Sequence, residues 1–509
     1  MARQQSKPFP EKSCRHVKGT DMIIRRLAVG VRLAALCAGL LVGVSARSAE
    51  PDQSLTPNAH FMSGKLYLSQ KVFDKAELEF AAAVLGDTTN AEYRTFWATS
   101  LSQVATIQLD ATASITDPEE RRAAIRAIAP TLAEASRQFD RAASMDPKKQ
   151  AAAADDNRQH YWVDIYKQGL ALAELKQYED AREVFLLTTV IDPKDPSGVF
   201  QVAYANRQMG KTVEAVAEAK KAKEMAQIRI SELGDCSQFK SKDRKTQCGI
   251  KIANMKKIVA NVDSFTRSNN VKLAEEALKR SEAAADPAGK RAEYAEAIGY
   301  FEAALEQDPK LNGVRFDLAN THFITAESFQ EEKNKTAATE SFQKAAVIFQ
   351  KLADADSVDA ETKSLSLYNA ASALYSAEDF VKAGPLFQRY IDLAPREVPA
   401  WRLAGICHLE QGRRPDAVSY LSMGSALSEQ SQVTPVEESV GTIKNLHAGS
   451  AAAKALAELG NPEEVRTFMD KDNGDRIVTT WIWWSKGVAR HFLSGEEVGH
   501  VAFQATTVP

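Results

Sequence analysis

Five cysteines, eight histidines and an aromatic content of 8% in 509 residues leave little material for redox, metal or nucleophilic chemistry. No HExxH pair, CxxC spacing or GxSxG elbow occurs, so the short motifs that position a zinc ion, a redox dithiol or a nucleophilic serine are missing. His60, His160, His322, His408, His447, His491 and His500 are scattered along the chain. Long hydrophobic runs are missing too. The apolar stretch Leu33–Val44 is about 12 residues, against the roughly 20 that a spanning helix needs. An excess of positive charge is also lacking: 64 Lys and Arg face 67 Asp and Glu, for a formal charge of −3. That balance argues against nucleic acid, whose binders gather Lys and Arg on one face.

What is present begins with an export pattern. Arg25, Arg26 and Arg32 precede the apolar stretch, and small residues Ser45 and Ala46 follow it, the order of a secretory signal. Residues 1–46 are therefore expected to be a signal peptide, with the rest delivered to the periplasm or cell envelope. They hold eight basic and two acidic residues, so the chain beyond them carries a formal charge of −9. Ile24 and Leu27 give Arg25-Arg26 little support as a twin-arginine signal. Leu36 stands where lipidation at Cys37 would want a small residue. Membrane attachment stays open. In an exported chain Cys236 and Cys248, flanking a short polar stretch, read as a structural disulfide. Cys407, among Ala404, Ile406 and Leu409, reads as a buried inert thiol.

Self-similarity dominates the middle of the chain. Helical hairpins recur every 34 residues. One copy has Trp401, Ala404-Gly405, Gly412, Ala417, Leu421 and Gly424; the one before it has Leu367, Ala371, Phe380, Ala383 and Phe387. A second adjacent pair starts at 162 and 196, with Gly169, Tyr178, Ala181 and Phe185, then Ala203, Gly210, Ala215 and Ala222. An N-terminal copy gives Gly64, Phe73, Ala76 and Phe80. Looser units surround Phe139, Phe301 and Phe342, making about eight from 57 to 431, least regular at 230–290. This pattern resembles the tetratricopeptide repeat family, with small residues where two helices cross and large ones filling the space between. The fold expected is mainly α: a helical-hairpin solenoid in which each unit covers its neighbour's apolar face.

After Gln432 the pattern changes. Residues 432–460 read as a helical linker that caps the solenoid, and 461–509 as a small antiparallel β meander. Trp481, Trp483 and Trp484 crowd its second strand. They read either as the core of the sheet or as an aromatic contact patch.

Two decoys fail on context. Ala205–Thr212 approximates a phosphate loop but ends a helix with Gly210 at the repeat's turn, and Asp470–Asp475 approximates a calcium loop without its closing glutamate.

The resemblance implies a non-catalytic protein that needs no cofactor and holds a protein or peptide in a groove lined by the first helices of successive units. By position, that groove would present Phe61, Lys65 and Leu68, then Tyr166 and Leu170, then Phe200, Tyr204 and Arg207, and finally Tyr368 and Arg402. The expected role is an exported scaffold or adaptor in envelope assembly or secretion. The alternative is a structural or surface protein meeting polysaccharide or membrane through the tryptophan-rich module.

Overall fold

Six turns set the register of the array. Lys71, Lys176, Gly210, Lys333, Glu378 and Gly412 all adopt φ between 61° and 77°, each at the fifteenth position of its repeat. In every case the residue's own N–H reaches back three residues and the next N–H reaches back five, as in Lys176 N to Ala173 O at 3.0 Å and Gln177 N to Leu172 O at 2.9 Å. This left-handed stop satisfies the last carbonyls of the first helix and aims the chain into the second.

The computed structural model describes residues 51, 54–238, 241–471 and 474–507. The candidate signal at 1–46 lies outside them. The chain divides into two compact units, with the boundary between Ala205 and Asn206.

In the first unit α1 (Pro57–Ser69) pairs with α2 (Phe73–Gly86), α3 (Ala91–Ala111) with α5 (Ala129–Met145), and α6 (Gln150–Glu174) with α7 (Tyr178–Ile191). A short helix α4 (Pro118–Ala127) intervenes between α3 and α5, and α8 (Pro196–Gln208) follows α7. Helix α4 is braced by Arg121 and Arg122, whose guanidinium groups both reach the buried Asp180 carboxylate on α7.

In the second unit α9 (Thr212–Leu233) pairs with α10 (Lys242–Ala283), whose far half pairs with α11 (Pro287–Gln307). Then come α12 (Asn312–Glu331) with α13 (Lys335–Ala353), α14 (Ala360–Ser376) with α15 (Phe380–Leu393), and α16 (Val398–Glu410) with α17 (Arg414–Ala426). The loose fit of the repeat at 230–290 has a plain cause: α10 runs unbroken for 42 residues where a regular copy would turn.

The helix crossings explain the residue choices. Ala76, Ala181, Ala215, Ala338, Ala383 and Ala417 are at most 2% exposed. A Cβ added at Gly169 would stand 2.6 Å from the Phe185 ring, and one at Gly64 2.7 Å from Phe80. Glycine thus lets the ring of the second helix lie directly on the first helix's backbone. Each such buried Phe contributes roughly 2–3 kcal/mol.

Beyond α17 come β1 (Gln432–Val433), α18 (Val436–Leu446), α19 (Ala451–Leu459), β2 (Glu464–Asp470), β3 (Arg476–Trp483), β4 (Val488–Leu493) and β5 (Glu496–Ala502). The strands form one antiparallel sheet in sequential order. The two helices do not cap the last repeat, as the sequence led us to expect; the sheet does. One sheet face, with Ile482, Ala489 and Val501, joins Trp484, Phe503 and Trp401 in a single core with the final repeats. His500 N donates to Ser419 Oγ on α17 at 3.2 Å. Helices α18 and α19 cover the opposite face, where Val440, Ile443, Ala452 and Ala455 pack on Val465, Trp481, Trp483 and Phe492.

Candidate functional site

The tryptophan cluster is core and not a contact patch. Trp481, Trp483 and Trp484 are 1%, 1% and 0% exposed. Each indole N–H is satisfied internally, by Ser439 Oγ at 2.9 Å, Gly460 O at 3.1 Å and Glu464 Oε2 at 2.7 Å. Strand alternation puts Trp481 and Trp483 on the helix-covered face, while Trp484, in the turn that follows, crosses to the repeat side beneath the Arg396 guanidinium at 4.3 Å. Aromatic crowding alone could not separate a core from a patch, because both need large flat side chains.

The ten positions read as groove-lining divide in the same way. Phe61 is buried against Phe80, Tyr93 and Phe96, and Leu68 packs on that cluster. Leu170 packs with Phe185 and Val202. Tyr166 stacks on Trp162 at 4.7 Å and accepts a hydrogen bond from Gln201 at 2.8 Å, while Tyr368 lies against Phe387 and Tyr390. Phe200 is half-buried. The outward-facing members are Lys65, whose ammonium sits 5.0 Å from the Phe61 ring centre, together with Tyr204, Arg207 and Arg402.

The sequence reading missed a cleft one turn from Tyr368. It measures about 520 Å³ and lies between the first helices α12 and α14. Phe316, Val358 and Leu365 give it apolar walls, and Asn312, Asp317 and Asp359 a polar rim. Phe316 is held edge-on against Phe349 at 5.3 Å, and Val358 is buried. Leu365, by contrast, is 48% exposed, an apolar side chain with an uncovered face. Asn312 Nδ2 donates to Ser357 Oγ at 3.3 Å, tying α12 to the loop before α14. Asp359 caps α14, accepting from Thr362 N and Oγ1 at 2.8 Å each, and these bonds hold its carboxyl below the usual range. Desolvation, and then the charge of Glu275, push the Asp317 carboxyl up. The cleft therefore offers an apolar floor with carboxylates around it.

Leu365 is the second residue of the copy that holds Leu367 and Ala371 and begins at residue 364, so the repeat register carried a signal for it. Val358 and Asp359 come from a connecting loop, whose course the register does not specify. In the first unit a smaller cleft of about 240 Å³ lies among α3, α4, α6 and α7, with Leu109, Ile125, Leu172 and Val184 on its walls and the Asp180 brace beside it. Cys407 is fully buried, and burial pushes its thiol up to about 12, which favours the protonated form.

Left-handed turns at a fixed repeat position, crossing glycines and alanines, and stacked hairpins define a helical array of the tetratricopeptide type. The comparisons agree over the part of the chain they reach: the tetratricopeptide repeat family model matches residues 367–425, so the chain carries tetratricopeptide repeats there. No curated protein matches. Among solved structures, the tetratricopeptide domain of P58(IPK) is 15% identical, with 72% of this chain and 92% of that one covered at a TM-score of 0.21. YrrB, described as a tetratricopeptide protein with an unusual peptide-binding site, is 14% identical, with 48% and 93% covered and a TM-score of 0.21. A thermophilic tetratricopeptide protein of Thermus thermophilus is 14% identical, with 49% and 99% covered and a TM-score of 0.19. Superpositions this loose carry no functional information.

Proposed function

We propose that this protein is an exported, non-catalytic scaffold that holds an extended peptide or partner helix against the first helices of its repeats, in the service of envelope assembly or secretion. The observation that carries the reading is the α12–α14 cleft, where half-exposed Leu365 stands beside buried Phe316 and Val358 on adjoining units. An apolar side chain left uncovered at the seam between repeats is what a partner side chain would cover. Tyr368, one turn along α14, and Arg402 on α16 extend the same line of positions through the final copies. The Cys236–Cys248 disulfide supports the exported part of the reading, because such bridges persist in oxidising compartments. The experiment is a crosslinked pull-down of the tagged protein from its native envelope, run beside Leu365→Glu. A partner recovered by the wild type and lost by the variant is the expected result; equal recovery would remove this cleft from the binding surface.

A further inference from the structure

Helices α9 and α10 project a tip that the repeat does not explain. Burial on α9 stops at Ala226, seven residues before its end. On α10 only Cys248 and Met255 are buried before Val262. A hairpin end with so few apolar contacts would fray, and here a disulfide between Cys236 and Cys248 closes it, with Cα atoms 5.7 Å apart.

The charge of this tip runs against that of the molecule. From Lys242 to Lys257 the chain has six basic residues and one acid, Asp243, within a protein of net charge −3. The helical period places Lys242, Lys256 and Lys257 off the stripe of α10 that holds Cys248, Met255 and Val262, with Lys245 at its edge. All four are exposed, and none forms an ion pair among the described residues, although the Asp235 carboxylate feels the charge of Lys245. Ile250, 55% exposed, flanks the strip, and Ile228 on α9 is 60% exposed. At 1.5 Å per residue the strip is about 22 Å long.

We infer that this stapled arm docks the protein on an anionic lipid surface. A strip of lysines with exposed Ile250 at its margin matches a plane of phosphates over hydrocarbon: the ammonium groups reach the headgroups and the isoleucine enters the boundary. The basic residues are spread along the whole strip, an arrangement that a plane of phosphates can meet at every point. The chain's net charge of −3 disfavours a duplex nucleic acid, whose binders gather Lys and Arg over a whole face. This contact stands apart from the peptide groove and does not depend on it.

The test is co-sedimentation of the full chain with vesicles of phosphatidylcholine alone and of phosphatidylcholine mixed with phosphatidylglycerol, across a salt series. Binding is expected to the mixed vesicles only and to weaken as salt rises. The combined variant K242Q, K245Q, K256Q and K257Q should bind about tenfold more weakly or worse. Its circular dichroism should match the wild type, since all four side chains are exposed. The inference is overturned if the variant binds the mixed vesicles as well as the wild type, if neutral vesicles bind equally, or if polyglutamate or duplex DNA competes the protein off at equal charge concentration.

Discussion

Lys71, Lys176, Lys333 and Glu378 hold left-handed φ near 61°, a conformation in which a Cβ crowds the following carbonyl. Gly210 and Gly412 occupy the equivalent place in their own copies at no such cost. The turn is therefore dictated by the repeat's hydrogen bonds and not by residue choice, and four copies carry strain of roughly 1 kcal/mol each. Lys176→Gly should stabilise the protein by about 0.5–1 kcal/mol, the gain being reduced by the extra freedom glycine has in the unfolded chain. Lys176→Ala should leave stability nearly unchanged, since alanine keeps the Cβ. Urea midpoints of the two variants beside the wild type decide this, and an equal response of both would assign the effect to loss of the lysine side chain. The same residues show what was legible. Gly64, Gly169, Ala181 and Phe185 announced the crossings because size is written in the residue type. Positive φ at a lysine is not so written, and no residue-level signal told core tryptophans from surface ones.

Among the elements, the sheet has the most consequential polar residue. His491 on β4 is fully buried between sheet and final repeat, with Nδ1 2.8 Å from Thr480 Oγ1. Burial, only partly offset by the Ser419 backbone and reinforced by nearby His500, holds its pKa down to about 3, against an ordinary value of 6.5. The folded protein thus keeps this imidazole neutral while the unfolded chain takes up a proton below pH 6.5. Its contribution is fully present above pH 6.5 and is lost progressively as pH falls toward 3, by about 3 kcal/mol at pH 4.5. Hydrogen exchange across β3, β4 and β5 should accelerate between pH 6.5 and 4.5, after correction for the intrinsic rate, and His491→Gln should flatten that dependence. An unchanged slope in the variant would assign the acid sensitivity elsewhere, with His322, also buried and held down to about 4, the next group to replace. The strands themselves were readable from their two-residue alternation and intervening turns. That the sheet and not the helices would meet the last repeat was not, because docking depends on which face stays apolar after α18 and α19 have covered the other.

Across the molecule, stacked hairpins use their large residues on one another, and the chemistry left at the surface is correspondingly sparse. Cys407 is buried with its thiol favoured in the protonated form, and the sequence-derived groove positions Phe61, Leu68 and Leu170 are used in packing. The α12–α14 cleft leaves apolar surface open between two first helices, and the proposed binding function rests on it. The most direct test places a photocrosslinking amino acid at Leu365 and, as a control, at the exposed Val381 on α15, with capture carried out in the native envelope. The account predicts one discrete adduct from position 365, abolished by Phe316→Ala or by competing peptide from the captured partner, and none from position 381. Adducts of equal yield from both positions would show that partners meet this face without being held in it.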